Sequence, residues 1–131
     1  MTKPVTSVAA MMLVEEGRMK LSDPIAEWMP ELRGLKAERR REGQETEEAA
    51  LERPVTVQDL LRHTSGFVYA ESAPSRRIKE AYEQANIEAR TGPITGDEML
   101  KRLGEIPLAH QPGTTFHYSI STDVLLSLIH I

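Results

Sequence analysis

Cysteine is absent from this sequence, and aromatic side chains are scarce: there are one Trp, three Tyr and two Phe. Without cysteine the chain can form no disulfide bond, no thiolate nucleophile and no cysteine-ligated zinc site. None of the histidines has the His-Glu-x-x-His spacing of a catalytic zinc site, so we expect neither a metal nor another cofactor. The absence of cysteine fits the bacterial cytoplasm and periplasm alike and leaves the localisation open. The four histidines are His63, His110, His117 and His130.

An excess of basic residues is also missing. The 131 residues include 16 Lys and Arg against 20 Asp and Glu, which corresponds to a formal net charge of -4 and an isoelectric point of about 5.6. Nucleic-acid-binding domains typically have isoelectric points above about 9, so we do not expect a nucleic-acid partner. No apolar run approaches the roughly 18 residues that a membrane-spanning helix needs. The length allows one domain at most.

Apolar periodicity predicts a helix at the start of the chain. Apolar side chains recur at helical spacing over residues 4–16, which indicates an amphipathic helix that ends at Gly17. A short helix is predicted over residues 25–29, between two prolines. Residues 33–53 carry six basic and six acidic residues with few large apolar ones, so this stretch is expected to be a solvated loop. The apolar positions of the first helix are Val5, Val8, Ala9, Met12 and Leu13.

The second half of the chain contains further helix signals. Residues 56–59 resemble a capping box and predict a short helix that ends at Gly66. A charged helix is expected over residues 75–90, and a second capping box at residues 95–98 predicts a helix that ends at Gly104.

The last stretch begins with a turn at residues 111–113. Polar and aromatic side chains then alternate over residues 115–119, which indicates one short extended segment. Thr122 or Asp123 is expected to cap a final helix.

Four short motifs occur in order along the chain. Residues 1–3, Met-Thr-Lys, match the end of a Ser-x-x-Lys motif whose serine would stand one residue before Met1. A Gly-x-x-x-Leu-x-Asp-Pro pattern covers residues 17–24, Leu-Leu-Arg-His-Thr-Ser-Gly covers residues 60–66, and Gln-Pro-Gly-Thr-Thr-Phe-His-Tyr-Ser covers residues 111–119. Over residues 1–125 this series resembles the β-lactamase-related serine hydrolases, which include penicillin-binding-protein-like enzymes and β-lactamase-like carboxylesterases.

The resemblance implies an α+β parent fold, a sheet flanked by helices, of which this chain would be a mostly α-helical subdomain with one short extended segment. It also implies a serine hydrolase that acts on a small-molecule ester or amide through an acyl-enzyme. Lys3 and Tyr118 would be the catalytic residues in this chain. The nucleophilic serine and a third motif, of Lys-Thr-Gly, His-x-Gly or Trp-Gly-Gly type, would lie outside it, so the 131-residue chain by itself is expected to be inactive.

The chemistry explains why these residue types are needed. A serine hydroxyl is a poor nucleophile until a base takes its proton, and a lysine does so only when its pKa lies well below the reference value of about 10.4. A lysine three residues after the serine shares its helical face. A phenol facing that pair can pass a proton between the nucleophile and the leaving group, so Lys3 and Tyr118 would share the acid and base roles.

Neighbouring residues are interpreted differently. His63 lies at the end of a helix and is expected to pack structurally. Ser65 has neither the Gly-x-Ser-x-Gly elbow nor a lysine three residues later, so it is not expected to be a nucleophile. Ile120 occupies the position where penicillin-recognising members carry an asparagine, which favours an esterase-like enzyme over a β-lactamase.

The two ends of the chain lead to separate expectations. Residues 1–125 are expected to be part of a larger β-lactamase-related domain. Residues 126–131 are expected to be read-through, because Leu-Ser-Leu-Ile-His-Ile is encoded by CTG TCT CTT ATA CAC ATC, which resembles a transposon adapter used in sequencing. The amphipathic helices alone permit an alternative, a small helical interaction module without catalysis. Extension of the reading frame upstream, to find a serine before Met1, distinguishes the two.

Overall fold

The computed structural model describes residues 2–39, 47–89 and 92–129. Met1 of the first motif, part of the charged stretch (residues 40–46), residue 90 of the predicted charged helix (residues 75–90) and the last two residues of the tail (130–131) lie outside these ranges. Within them, the charged helix ends earlier than predicted, at Gln84. The described α-helices are α1 (Thr2–Glu15), α2 (Val57–Arg62), α3 (Arg76–Gln84), α4 (Gly96–Leu103) and α5 (Ser121–Ile129). Short 3-10 helices lie at Ile25–Glu27, Pro30–Leu32 and Ala70–Ser72. None of the described helices is long and apolar enough to cross a bilayer.

The carboxyl-terminal helix α5 is the centre of the packing. It contacts α1, α2 and α4. Val124 and Leu125 are completely buried and Leu128 nearly so. Burial of each such side chain contributes about 1.5–3 kcal/mol to folding. The helix therefore joins the first residues of the chain to the Leu-Leu-Arg-His-Thr-Ser-Gly motif.

Helix α1 begins and ends close to its predicted bounds, but the apolar stripe predicted from the sequence is not its buried face. Val5, Val8 and Met12 are all more than half exposed, whereas Thr6 and Ala10 are buried. The helix is apolar on more than one side, so periodicity could not choose between faces, and the smaller side chains allow α5 to approach closely.

Gly17 ends the helix by a local rule. Its φ of +74° is readily accessible only to glycine. The Gly17 amide donates to the Val14 carbonyl and the Arg18 amide to the Leu13 carbonyl, which is the Schellman pattern.

The charged stretch is the main error of the sequence prediction. Instead of a loop it contains an antiparallel pair of strands, β1 (Lys36–Arg39) and β2 (Glu47–Ala50). Strand β1 also exchanges two backbone hydrogen bonds of 2.7 Å with Leu108, and the buried Ala37 packs at that point. The strands depend on these backbone bonds and not on β-branched residues, so no propensity signal precedes them. Most of their side chains are exposed, as expected.

Helix α2 ends earlier than predicted, at Arg62. His63 follows in the left-handed conformation, with φ 57° and ψ 36°. Gly66 lies in the loop beyond, with φ +98°, where a Cβ would collide with the His110 carbonyl. The amino end of α2 has the predicted capping box, because the Thr56 hydroxyl and the Asp59 carboxylate each accept the other residue's backbone N–H.

Asp59 has a second role that the capping pattern did not reveal. It is 4% exposed and accepts a bidentate pair of bonds from Arg53, at 2.7 and 2.8 Å, and one from the Thr64 hydroxyl at 2.9 Å. Burial alone raises the pKa of Asp59, but the bonds from Arg53, Thr56 and Thr64 outweigh burial and leave the pKa below its ordinary value. Arg53, Thr56, Asp59 and Thr64 are called the Asp59 cluster below.

Two other predicted details differ. Thr95 caps α4, but only half of the capping box forms, since its hydroxyl accepts from the Glu98 amide. Helix α5 begins at Ser121 and not after Thr122 or Asp123. Its first turn is instead satisfied by the Ser119 hydroxyl, which accepts from the Ser121 amide.

Candidate active site

Lys3 lies in the first turn of α1, and its amine points at the predicted tyrosine motif. The Nζ atom donates a hydrogen bond of 2.8 Å to the Ser119 carbonyl oxygen. The same atom lies 4.5 Å from the centroid of the Tyr118 ring and 5.2 Å from that of Tyr69. Two aromatic rings therefore lie within cation–π distance of the amine, although Lys3 and Tyr118 are 115 positions apart in sequence.

Tyr118 is the partner expected for Lys3, and the structure brings the two residues into contact. Its side chain is 54% exposed, and its ring stacks on His63 with a centroid distance of 4.9 Å and an interplanar angle of 28°. The ring also contacts Tyr69, at 5.8 Å. The Lys3 amine touches the ring face and bonds to a carbonyl, so the direct amine–hydroxyl bond expected for proton transfer, roughly 2.6–3.2 Å, is not made in this arrangement.

The segment around Tyr118, residues 114–120, has no regular secondary structure, although an extended stretch was predicted there. His63 holds it in place. The His63 carbonyl accepts from the His117 amide at 2.8 Å, and its Nδ1 accepts from the Ser119 amide at 3.2 Å. Burial, and secondarily the charge of Lys3, lower the pKa of His63 and favour its neutral form.

Three buried serines form a hydroxyl chain behind the site. Ser121 Oγ lies 2.7 Å from Ser65 Oγ and 2.6 Å from Ser119 Oγ, and all three side chains are completely buried. Ser65 Oγ also accepts from the Phe67 amide. The Ser65 hydroxyl is thus hydrogen-bonded and buried.

Ile120 does not lie where the sequence argument assumed. The side chain is 2% exposed and belongs to the core, so it cannot contact a substrate directly. An asparagine side chain at this backbone position would point into apolar packing. The expectation that an asparagine here would bind a lactam amide is therefore wrong for this backbone.

An open groove of about 540 Å³ lies beside Tyr118 and is lined by both aromatic and acidic side chains. At its edge His117 Nε2 lies 2.9 Å from Ser72 Oγ, and His117 Nδ1 lies 3.1 Å from His110 Nε2. The groove is lined by Tyr69, Glu71, Ser72, Glu88, His117 and Tyr118.

On helix α5, the pKa of Asp123 is raised chiefly by burial, against the opposing effect of the Lys3 charge.

Tyr69 belongs to the site but was not predicted from the sequence. Its only sequence signal is that it is an aromatic residue shortly after the His-Thr-Ser-Gly motif, and nothing in the pattern indicates contact with Lys3. Within residues 2–39, 47–89 and 92–129 there is no group of three or more His, Cys, Asp or Glu side chains that could hold a metal ion.

Comparison with known proteins agrees with the motifs. The β-lactamase family model matches residues 1–130. The chain belongs to the β-lactamase family. The resemblance seen in the four motifs is thereby confirmed, and membership of the β-lactamase family favours an enzyme over the helical interaction module.

Three individual relatives show which kinds of protein the chain resembles. Protein Rv1367c of Mycobacterium tuberculosis is 42% identical over 125 residues, which cover 95% of this chain and 30% of the relative. Esterase EstB of Burkholderia gladioli is 33% identical and is matched over 98% of this chain and 30% of its own length. The solved structure of EstCE1, described as a hydrolase with promiscuous acyltransferase activity, has a TM-score of 0.74 and 28% identity over 96% of this chain and 30% of its own.

These matches confirm the predicted fold class, a mostly helical part of the β-lactamase-like fold. The relatives include esterases and acyltransferases, so the family is one of serine hydrolases that act on small molecules. The chain spans about 30% of the length of the curated relatives that it matches.

Proposed function

We propose that the protein is a serine hydrolase that cleaves small-molecule esters through an acyl-enzyme, with Lys3 and Tyr118 as its acid and base. The nucleophile would be a serine three positions before Lys3. Its oxygen attacks the ester carbonyl, the proton passes to Lys3 and Tyr118, and the same proton leaves with the alcohol product. Water then attacks the acyl-enzyme, releases the acid and returns a proton to the serine.

One observation carries this proposal: the Lys3 amine lies against the face of Tyr118, across 115 positions of sequence. Here the amine bonds to a backbone carbonyl beside an exposed phenol, and an open groove adjoins that phenol. Catalytic hydrogen bonds often tighten only when substrate binds, so we expect the phenol oxygen and the amine to come within hydrogen-bonding distance in the substrate complex.

Hydrolysis of esters is favoured over hydrolysis of β-lactams. EstB, one of the relatives, is an esterase by name. The groove is also open to solvent, so it admits an alcohol as well as water to attack the acyl-enzyme. Acyl transfer to an alcohol is therefore a second activity to measure.

We also propose that residues 1–125 are part of a longer domain. The exposed Val5, Val8 and Met12 form an apolar face on α1 that further chain would cover. Residues 126–131 stay a predicted read-through tail, although α5 extends to Ile129 and buries Leu128.

The test uses the full-length protein, recovered by extending the reading frame, and short p-nitrophenyl esters beside nitrocefin. We expect ester turnover, weak or no nitrocefin turnover, and loss of ester turnover in Lys3→Ala. The matched control is Lys20→Ala, because the Lys20 side chain is exposed and lies outside the groove. Full activity in Lys3→Ala, or nitrocefin turnover as fast as ester turnover, would refute the proposal.

A further inference from the structure

His63 makes four contacts with the segment that carries Tyr118, and one of them is an edge-on contact with the Phe116 ring at 6.0 Å. Its ring stacks on the Tyr118 ring at 4.9 Å, its carbonyl binds the His117 amide, and its Nδ1 accepts from the Ser119 amide. Histidine is one of the few non-glycine residue types enriched in the left-handed conformation that His63 adopts. Such backbone outliers persist where the surroundings require them, and they cluster at functional sites.

Ser119 connects His63 to Lys3. The Ser119 amide donates to His63 Nδ1, and its carbonyl accepts from the Lys3 amine at 2.8 Å. Both backbone groups of one residue are therefore held by these two side chains. If the bond from His63 were lost, the Ser119 backbone could rotate and carry the acceptor of Lys3 with it.

We propose that His63 is a positioning residue, whose neutral ring supports Tyr118 from one side and fixes the Ser119 backbone to which Lys3 is bonded. This inference rests on the proposed function, in which Lys3 and Tyr118 perform the proton transfers. It assigns His63 no contact with substrate.

The role requires one protonation state. Nδ1 can accept from the Ser119 amide only while it carries a lone pair, so the ring proton must lie on Nε2. Protonation would make Nδ1 a donor and break the bond. Among the titratable groups near the ring, Tyr118 stacks on it and Lys3 of α1 acts on it through its charge. Arg62 precedes it on α2, and His117 directs its own ring to His110 and Ser72. Burial and the Lys3 charge both lower the pKa of His63, which keeps the ring neutral at neutral pH.

Two substitutions separate the contacts in the full-length enzyme. His63→Asn keeps a side-chain acceptor and tolerates the left-handed backbone but loses the ring. His63→Phe keeps a ring for stacking but loses the acceptor. We expect both to lower kcat, between about 10-fold and 100-fold, with little change in KM, because misplacement of a catalytic group by about 1 Å can cost about that much. His63→Phe is expected to be the worse, since it frees Ser119.

The pH profile provides a readout that lost stability would not change. In the unsubstituted full-length enzyme, the decrease of kcat at acidic pH (its acidic limb) should include the ionisation of His63. In both His63 variants that contribution should be absent. His110→Gln is the matched control, because His110 is also half-buried with a pKa lowered by burial but does not contact Tyr118, Ser119 or Lys3. An unchanged acidic limb in both His63 variants, or unchanged kcat per folded molecule, would overturn the inference.

Failure of the inference and failure of the proposed function can be distinguished. If Lys3→Ala and Tyr118→Phe keep full activity, the proposed function fails. If these variants are inactive while the His63 variants behave like the parent, only the inference fails. A nitrogen NMR spectrum of the histidine side chains needs no activity: we expect His63 with an unprotonated Nδ1 at pH 7, and a protonated Nδ1 would overturn the inference.

Discussion

The Asp59 cluster and the contact between Lys3 and Tyr118 are built from similar polar groups, but they differ in how completely those groups are satisfied. The Asp59 carboxylate accepts five hydrogen bonds, two from Arg53, two from Thr56 and one from Thr64. The Lys3 amine makes one hydrogen bond, and the Tyr118 side chain is half exposed beside an open groove. A buried cluster whose polar groups have all their hydrogen bonds stabilises a fold, whereas polar groups at a groove with few hydrogen bonds are available for chemistry.

The two regions also differ in how far apart their members lie in sequence. Every partner of the Asp59 side chain lies within six positions of it, while Lys3 and Ser119 are 116 positions apart. The Asp59 cluster is therefore built from α2 and the residues that flank it in sequence. The second region exists only when α1 has packed on α5.

The largest expected effect breaks the Lys3–Tyr118 contact. In the full-length enzyme, Lys3→Ala and Tyr118→Phe should each lower kcat by about 10²–10⁴-fold, the usual contribution of acid–base catalysis. The double variant should be scarcely worse than the poorer single one, because a broken proton path loses little more from a second break. Steady-state kinetics of the four proteins measure this, with the exposed Lys79→Ala as control. Independent, multiplicative losses would show that the two residues do not act as a unit.

The next effect breaks the Asp59 cluster. Asp59→Ala should lower the free energy of unfolding by about 3 kcal/mol, the lower end of the range for a broken buried ion pair, because Arg53 stays 44% exposed and can be hydrated. Urea denaturation measures this change. Glu80→Ala, which removes an exposed pair with Arg76 on α3, is the control and should cost at most about 0.5 kcal/mol. Equal losses in the two variants would contradict the difference drawn between buried and exposed pairs.

Substitutions of Ile120 test whether this side chain belongs to the core or reaches the site. Ile120→Asn should destabilise the protein by about 1–3 kcal/mol, the cost of a buried and unpaired amide, with no gain in nitrocefin turnover. Ile120→Val removes one methylene and should cost about 0.5–1.5 kcal/mol. Thermal unfolding and nitrocefin assays of both variants test this. Faster nitrocefin turnover in Ile120→Asn would mean that the side chain reaches the groove after all.

The smallest expected effect is a dependence of stability on pH. The pKa values of His63 and His110 are lowered in the folded state, chiefly by burial, so the unfolded chain binds more protons below about pH 6.5. Stability should therefore fall as the pH drops from 7 to 5, and His110→Gln should weaken that slope. The lowered pKa of Asp59 acts in a separate window, since its contribution is lost only as the pH falls below about 3.8. A flat stability curve between pH 7 and 5 would contradict this assignment.

Local rules determined much of this protein from the sequence alone. Gly17 ends α1 because the turn needs a positive φ, Thr56 and Asp59 cap α2 because their spacing closes two hydrogen bonds, and Gly104 follows α4 as predicted. The motif series also predicted the family. These signals depend on residues a few positions apart, or on a pattern shared with relatives, and need no knowledge of what packs against them.

Only the tertiary structure decided the rest. The buried face of α1, the strands β1 and β2, and the place of Ile120 in the core each depend on a neighbour distant in sequence, namely α5, Leu108 and the packed interior. The site belongs to this second group. Lys3 and Tyr118 could be named from motifs, but the roles of His63, Ser119 and Tyr69 around them follow from side chains and backbone groups that meet only when residues far apart in the chain are packed together.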